Sequence, residues 1–144
     1  MPAISLRSHT CVCGGPCASH AKRCRRCYDR SRLFPTNIRT MSPVEAAWVG
    51  AMIEGEGTVE RHRRNPHVSV RNTEVETIAT LLRFTGVGGV YAEPLSKLGK
   101  LPMWEWVVWR KRDLIGLLAL IIPYLTGKQE RAVELYEEVT RIYG

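Results

Sequence analysis

The stretch Ser42–Gly57, SPVEAAWVGAMIEGEG, constrains the chain more tightly than any other. Serine at an N-cap, proline at the first helical position and glutamate three residues after the cap (Ser42, Pro43, Glu45) form a capping box, so a helix starts here. It runs through Ala46-Ala47-Trp48-Val49-Gly50-Ala51-Met52-Ile53 and is expected to stop near Gly55 and Gly57. Val44, Trp48 and Met52 make an apolar stripe for the domain's own core. Ala46/Gly50 and Ala47/Ala51, each pair one turn apart, leave another face nearly bare, where a second helix can approach closely. A helix buried on two faces implies a partner. Glu54 and Glu56 fall at the helix C-terminus, where the macrodipole is negative and each carboxylate costs about 0.3–1 kcal/mol, so something cationic should offset them. Positions two apart diverge on a helix. Glu56, flanked by glycines, therefore projects beyond the helix end, a position that suits a divalent metal with hard oxygen ligands.

The rest of the chain divides by charge. Of 144 residues with a formal net charge of +7, the first forty hold eight Lys/Arg against one acidic residue, and the remainder holds 13 of each. All 5 cysteines lie in the same segment, which has too few large apolar residues to fold by burial alone. Cys11, Cys13, Cys24 and Cys27 form a C-x-C-x10-C-x2-C pattern that can supply the four tetrahedral thiolates zinc prefers. Cys17 can replace Cys11 or Cys13 or be a spare thiol, and His9 and His20 are lesser candidates. Lys22, Arg23, Arg25, Arg26, Arg30 and Arg32 surround this knuckle, a concentration of one sign of charge suited to phosphate backbones. Pro35 and Asn37 mark a linker. The division expected is a zinc-binding module over 1–34, a linker over 35–41 and a second domain over 42–144. The longest apolar run, Leu114–Ile122, is far below the roughly 20 residues that span a bilayer, and the first residues lack the apolar core of a signal peptide. An intracellular, membrane-free location is the expectation.

Beyond Gly57, β-type segments at 58–64 and 67–72 are broken by Asn65-Pro66. Val68 and Val70 alternate with His67, Ser69 and Arg71, giving one buried and one polar face. Val59 on the core side would turn Arg61 and Arg63 inward, so this strand should leave the sheet around Arg61. A second helix, capped by Asn72 or Thr73, carries Val75, Ile78, Ala79 and Leu82 at helical spacing and stops at Gly86. Residues 87–94 and 102–109 read as a hairpin, with Trp104, Trp106 and Val108 on its core face. A third helix from Asp113 ends at Pro123. A fourth from Lys128 points Ala132, Leu135, Tyr136, Val139 and Ile142 inward. The order gives an α+β fold with an antiparallel sheet.

Val49-Gly50-Ala51-Met52-Ile53-Glu54-Gly55-Glu56-Gly57 resembles the signature of the LAGLIDADG homing endonucleases. Trp104-Glu105-Trp106 and Pro123-Tyr124-Leu125-Thr126-Gly127-Lys128 follow in that family's order, and the likeness covers roughly residues 43 to 143. It implies an αββαββα core; the zinc knuckle lies outside that family's pattern and resembles accessory DNA-binding modules. It implies site-specific, metal-dependent cleavage of double-stranded DNA by a homodimer, because one signature occurs where a monomeric member carries two. Glu56 and the Gly55 carbonyl would hold Mg²⁺, with Lys128 tuning the attacking water or neutralising developing charge. Thr58, Glu60, His62, Arg64, His67, Ser69, Arg71 and Lys97 would face the DNA, assisted by Arg23, Arg25 and Arg26. Ala46, Ala47, Gly50, Ala51, Ile53 and Glu54 would form the dimer interface, and two-fold symmetry implies a pseudo-palindromic site. Two other readings share the fold: a zinc-assisted DNA-binding regulator with a silent site, and an RNA maturase whose partner is intron RNA.

Overall fold

The computed structural model describes residues 9–10, 16–17, 36–61, 64–93 and 101–143. The chain divides into two units, Met1–Phe34 and Pro35–Gly144. In the first, β1 (His9–Thr10) and β2 (Pro16–Cys17) pair antiparallel, with His9 opposite Cys17 and Thr10 opposite Pro16. The expected zinc ligands Cys11, Cys13, Cys24 and Cys27 lie outside the described residues, as do Arg23, Arg25, Arg26, His62 and Lys97.

The second unit begins with helix α1 (Pro43–Glu56), whose capping box forms as the sequence dictates: Glu45 N–H donates to Ser42 Oγ and Ser42 N–H to the Glu45 carboxylate. The helix ends where Gly57 N–H returns to the Ile53 carbonyl. There follow β3 (Gly57–Glu60), β4 (His67–Asn72), α2 (Val75–Thr85), β5 (Gly89–Glu93), β6 (Met103–Val108), α3 (Lys111–Ile121), a 3₁₀ turn at Ile122–Tyr124 and α4 (Gln129–Tyr143). The four strands form an antiparallel sheet in the order β3-β4-β6-β5. This is the α+β architecture anticipated from the element order.

Alternation decides which sheet face is covered. Val59, Val68, Val70, Trp106 and Val108 are buried against Val49 and Ile53 of α1, Ile78 and Leu81 of α2, Leu114, Leu117, Leu118 and Ile121 of α3, and Ala132, Leu135 and Val139 of α4. Each fully buried Leu or Ile contributes about 1.5–3 kcal/mol of transfer free energy, so this one cluster carries the domain. Trp106 is buried completely because its indole N–H finds the Val87 carbonyl at 2.9 Å. Trp104 packs against the same cluster, as expected.

Several faces differ from the sequence reading. Val44 is 79% exposed, and α1 instead buries Ala46, Val49, Gly50 and Ile53. The cause is the 3₁₀ turn: a Cβ on Gly50 would lie 2.9 Å from Tyr124 Cβ, so the bare backbone at Gly50 receives a segment of the same domain. Ala46, Gly50 and Ile53, expected at an interface between copies, are thus buried within the domain. Ala47, half-buried, and exposed Ala51 remain on the outside. On α2 the buried residues are Ile78, Leu81 and Thr85, while Val75, Ala79 and Leu82 are exposed. Thr85 can go inside because its hydroxyl donates to the Leu81 carbonyl at 2.8 Å and is satisfied there. Ile142 of α4 is likewise exposed.

The stretch read as a linker, 35–41, is part of the second unit. Thr36 Oγ1 donates to the buried Asp113 carboxylate at 3.0 Å, Arg39 N–H donates to the Thr85 carbonyl at 2.8 Å, and Met41 is buried. Gly86 caps α2 in the left-handed region (φ 71°), where the Arg39 side chain passes within 2.5 Å of a would-be Cβ. Strand β3 stops at Glu60, and Arg61 turns away to pair with Glu134 and Glu138 of α4, consistent with its leaving the sheet.

Candidate catalytic site and nucleic-acid face

The two glutamates at the end of α1 have separate fates. Glu54 accepts N–H bonds from Thr126 at 3.0 Å and Lys128 at 3.1 Å, so its carboxylate caps the start of α4. These bonds, the Thr126 N–H first, hold its carboxyl below the usual carboxylate range. Gly127 fits between them because a Cβ there would lie 2.9 Å from Glu54 Oε1. The cation expected at this helix end is Lys128, whose Nζ donates to the carbonyls of Ile53 at 2.9 Å, Glu54 at 2.8 Å and Gly57 at 2.7 Å. An ammonium has three N–H donors. All three point at carbonyls at the end of α1, so Lys128 fastens the turn that carries Gly55 and Glu56. The helices exchange caps: an anion from α1 on the positive end of α4, and a cation from α4 on the negative end of α1.

That exchange leaves Glu56 as the outward carboxylate. Asn72, at the end of β4, donates through Nδ2 to Glu56 Oε2 at 2.6 Å. The Asn72 Oδ1 accepts Glu74 N–H at 2.8 Å, which fixes the orientation of the amide. Glu56 Oε1 has no protein partner among the described residues. Beside it Gly55 is exposed, with nothing within 4 Å of a would-be Cβ, so another chain or a ligand can approach its backbone. Sequence reasoning treated Asn72 only as a possible helix cap. The hairpin register contains the missing signal, because Gly57 lies opposite Val70 and position 72 is therefore carried back beside the end of α1.

A pocket of about 310 Å³ opens from Glu56 onto the uncovered sheet face, lined also by Thr58, His67, Ser69, Arg71 and Glu105. The register places Thr58, Ser69, Val107 and Gly89 in one row, and Arg71, Glu105 and Tyr91 in another. Glu60 lies opposite His67. Thr58, Glu60, His67, Ser69 and Arg71, all expected to face DNA, thus lie on one side of the sheet, with Ser69 buried among its neighbours there. Arg64 sits in the turn before β4. Arg71 is shared by two acids: Nε donates to Glu105 at 2.6 Å, and Nη2 lies 3.1 Å from Glu93. Glu105, then Glu93, hold its guanidinium above the ordinary arginine value.

Among the described residues no three His, Cys, Asp or Glu side chains gather as a metal cage. A single carboxylate beside an accessible backbone fits Mg²⁺ nonetheless, since that ion commonly uses one or two carboxylates and takes its other ligands from substrate phosphate and water. Among the described residues no helix is long and apolar enough to cross a membrane.

No family model and no curated protein matches the chain. Solved structures do. The homing endonuclease I-CvuI in complex with the I-CreI target is 18% identical with a TM-score of 0.56, covering 69% of this chain and 68% of that one. I-CvuI with its own target in the presence of Ca is 16% identical with a TM-score of 0.52, over 80% of this chain and 69% of that one. The archaeal intron-encoded homing endonuclease I-Vdi141I, complexed with DNA, is 17% identical with a TM-score of 0.51, over 67% of each chain. At such identities the likeness speaks for architecture, and the chain has the fold of the LAGLIDADG homing endonucleases.

Proposed function

We propose that the chain is a site-specific endonuclease that hydrolyses both strands of duplex DNA as a homodimer with Mg²⁺. The observation that carries this reading is Glu56, an outward carboxylate held by Asn72 at the end of α1 and opening onto an uncovered sheet face. The solved structures of like fold include homing endonucleases complexed with DNA.

Glu56 Oε1 and the Gly55 carbonyl are the groups that would hold the metal. When bound, the metal lowers the pKa of a water and stabilises charge at the scissile phosphate. The protein's own part is positional. Asn72 fixes Glu56 Oε2 and so orients the other oxygen. Lys128, with all three N–H on the turn that carries Gly55 and Glu56, is a positioning residue rather than a proton donor. The open sheet face enters the major groove, where base pairs present distinct hydrogen-bond patterns. Thr58, Glu60, His67, Ser69 and Arg71 line that face, with His62, Arg64 and Lys97 assigned to the same role from the resemblance. The basic N-terminal module, stapled by zinc through Cys11, Cys13, Cys24 and Cys27, adds phosphate contacts from Arg23, Arg25 and Arg26.

Dimerisation uses the outer part of α1. Val44, Ala47 and Ala51 lie along one side of that helix and remain outside the core, so a second α1 can approach there. Two-fold pairing of these helices brings two Glu56 carboxylates near one axis, one for each DNA strand. The test is incubation of the full-length protein with a randomised duplex library, with Mg²⁺ or with chelator. A double-strand break in enriched duplexes, dependent on Mg²⁺ and lost in Glu56→Gln, is the expected result. Tight binding with no nick under Mg²⁺, Mn²⁺ or Ca²⁺ would reduce the protein to a DNA-binding regulator.

A further inference from the structure

Arg71 on β4 and Glu105 on β6 face each other directly across the sheet, and Glu93 on β5 completes the group. The Arg71 side chain is 60% exposed, against 21% for Glu105 and 37% for Glu93. Both ion pairs use the Nε and Nη2 side of the guanidinium, so three of its five N–H donors remain toward the tip. One cation between two anions leaves the cluster net negative. A phosphate is repelled there, whereas the uncharged edge of a base pair is not, so contact with bases is favoured over contact with backbone.

The chemistry of the cluster selects among bases. A G·C pair offers O6 and N7 acceptors on guanine and, beside them, the N4 amino donor of cytosine. That pattern complements a guanidinium tip beside a carboxylate. An A·T pair meets the guanidinium with the adenine N6 donor and gives the carboxylate only the thymine O4 acceptor and a methyl group. We infer that Arg71 and Glu105 together read one G·C pair in each half-site, Arg71 on guanine and Glu105 on cytosine, with Glu93 holding the guanidinium in place. Because Arg71 is already fixed by two carboxylates, little side-chain freedom is lost on binding. This inference rests on the proposed function, in that it requires the open sheet face to lie in the major groove, and it names the substrate feature that face recognises.

The experiment is selection of bound duplexes from a library of random sequence with the full-length protein, followed by affinity measurements on one selected duplex. The wild type should enrich a G·C pair at one position in each half-site, and changing that pair to A·T should weaken binding about ten- to a hundredfold. Arg71→Gln should move the preference at that position toward A·T, because glutamine pairs bidentately with adenine. Glu105→Ala should relax the preference there and, by removing the cluster's net negative charge, reduce its repulsion of phosphate and so steepen the salt dependence of non-specific binding. Thermal unfolding of both variants checks that they remain folded. If both variants keep the wild-type G·C preference at every position, the assignment is overturned while the nuclease reading stands. Enrichment of no duplex at all by the wild type overturns both.

Discussion

Gly50→Ala separates a helix face used inside the domain from one reserved for a second copy. The added Cβ would lie 2.9 Å from Tyr124 Cβ, 3.5 Å from the Tyr124 carbonyl oxygen and 3.7 Å from that of Ile121. The Tyr124 Cβ is attached to backbone and cannot swing aside, so α1 or the 3₁₀ turn must retreat by roughly 0.5–1 Å to restore an ordinary carbon contact. Overpacking of this kind costs about 1–3 kcal/mol. Alanine's better helix propensity returns about 1 kcal/mol. The net loss is therefore up to about 2 kcal/mol, a large share of a small domain's stability. Urea unfolding at two protein concentrations tenfold apart is the assay, with Ala51→Glu as comparison. Gly50→Ala should lose the same stability at both concentrations without changing the oligomeric state. Ala51→Glu should leave monomer stability within about 0.5 kcal/mol and abolish the dimer. The reasoning fails if Gly50→Ala is neutral while the dimer dissociates, because Gly50 would then face a second copy.

Two further outcomes follow from the charged groups. The Glu54 carboxyl is held below its ordinary value of 4.5, chiefly by the Thr126 N–H, so its stabilising contribution is complete above that value and lost as pH falls through the lower, folded-state value. Urea midpoints of wild type should thus exceed those of Glu54→Gln near neutral pH, and the two should converge as pH falls well below 4.5; a constant gap would refute the capping role. Metal analysis of the purified chain should find about one zinc, bound by the N-terminal cysteines and lost on substitution of Cys24 and Cys27. Metal-free protein with an unchanged circular dichroism spectrum would remove the zinc module from the account.

The start and stop of α1 were legible because they depend on residues within four positions of one another, as the capping box at Ser42 and Glu45 illustrates. The polar face of β4 was legible for a similar reason: alternation of His67, Ser69 and Arg71 with Val68 and Val70 needs no knowledge of distant chain. What the sequence left open depends on contacts far along it. Only the arrival of Tyr124 shows that Gly50 and Ala46 face inward while Ala47 and Ala51 face out. On α2 the buried Thr85 has its hydroxyl satisfied locally by the Leu81 carbonyl, which hydrophobic spacing does not register. The docking of 36–41 required the buried Asp113 as a partner. At the candidate site, Glu56 was visible as a carboxylate between two glycines, whereas its support by Asn72 and the engagement of Lys128 with three carbonyls emerge only when the helix ends and the β3-β4 hairpin are brought together.

The most direct test of the account measures binding and cleavage separately on one selected duplex, comparing wild type with Glu56→Gln. In the proposed reading Glu56 holds the metal, and its hydrogen bond from Asn72 can be kept by the amide oxygen of a glutamine, so the substitution leaves the end of α1 and the sheet face in place. The variant should therefore bind the duplex within about twofold of wild type in Ca²⁺ and cut it at least about a hundredfold more slowly in Mg²⁺. Cleavage by Glu56→Gln at the wild-type rate would contradict the central claim, and so would a loss of cutting matched by an equal loss of affinity.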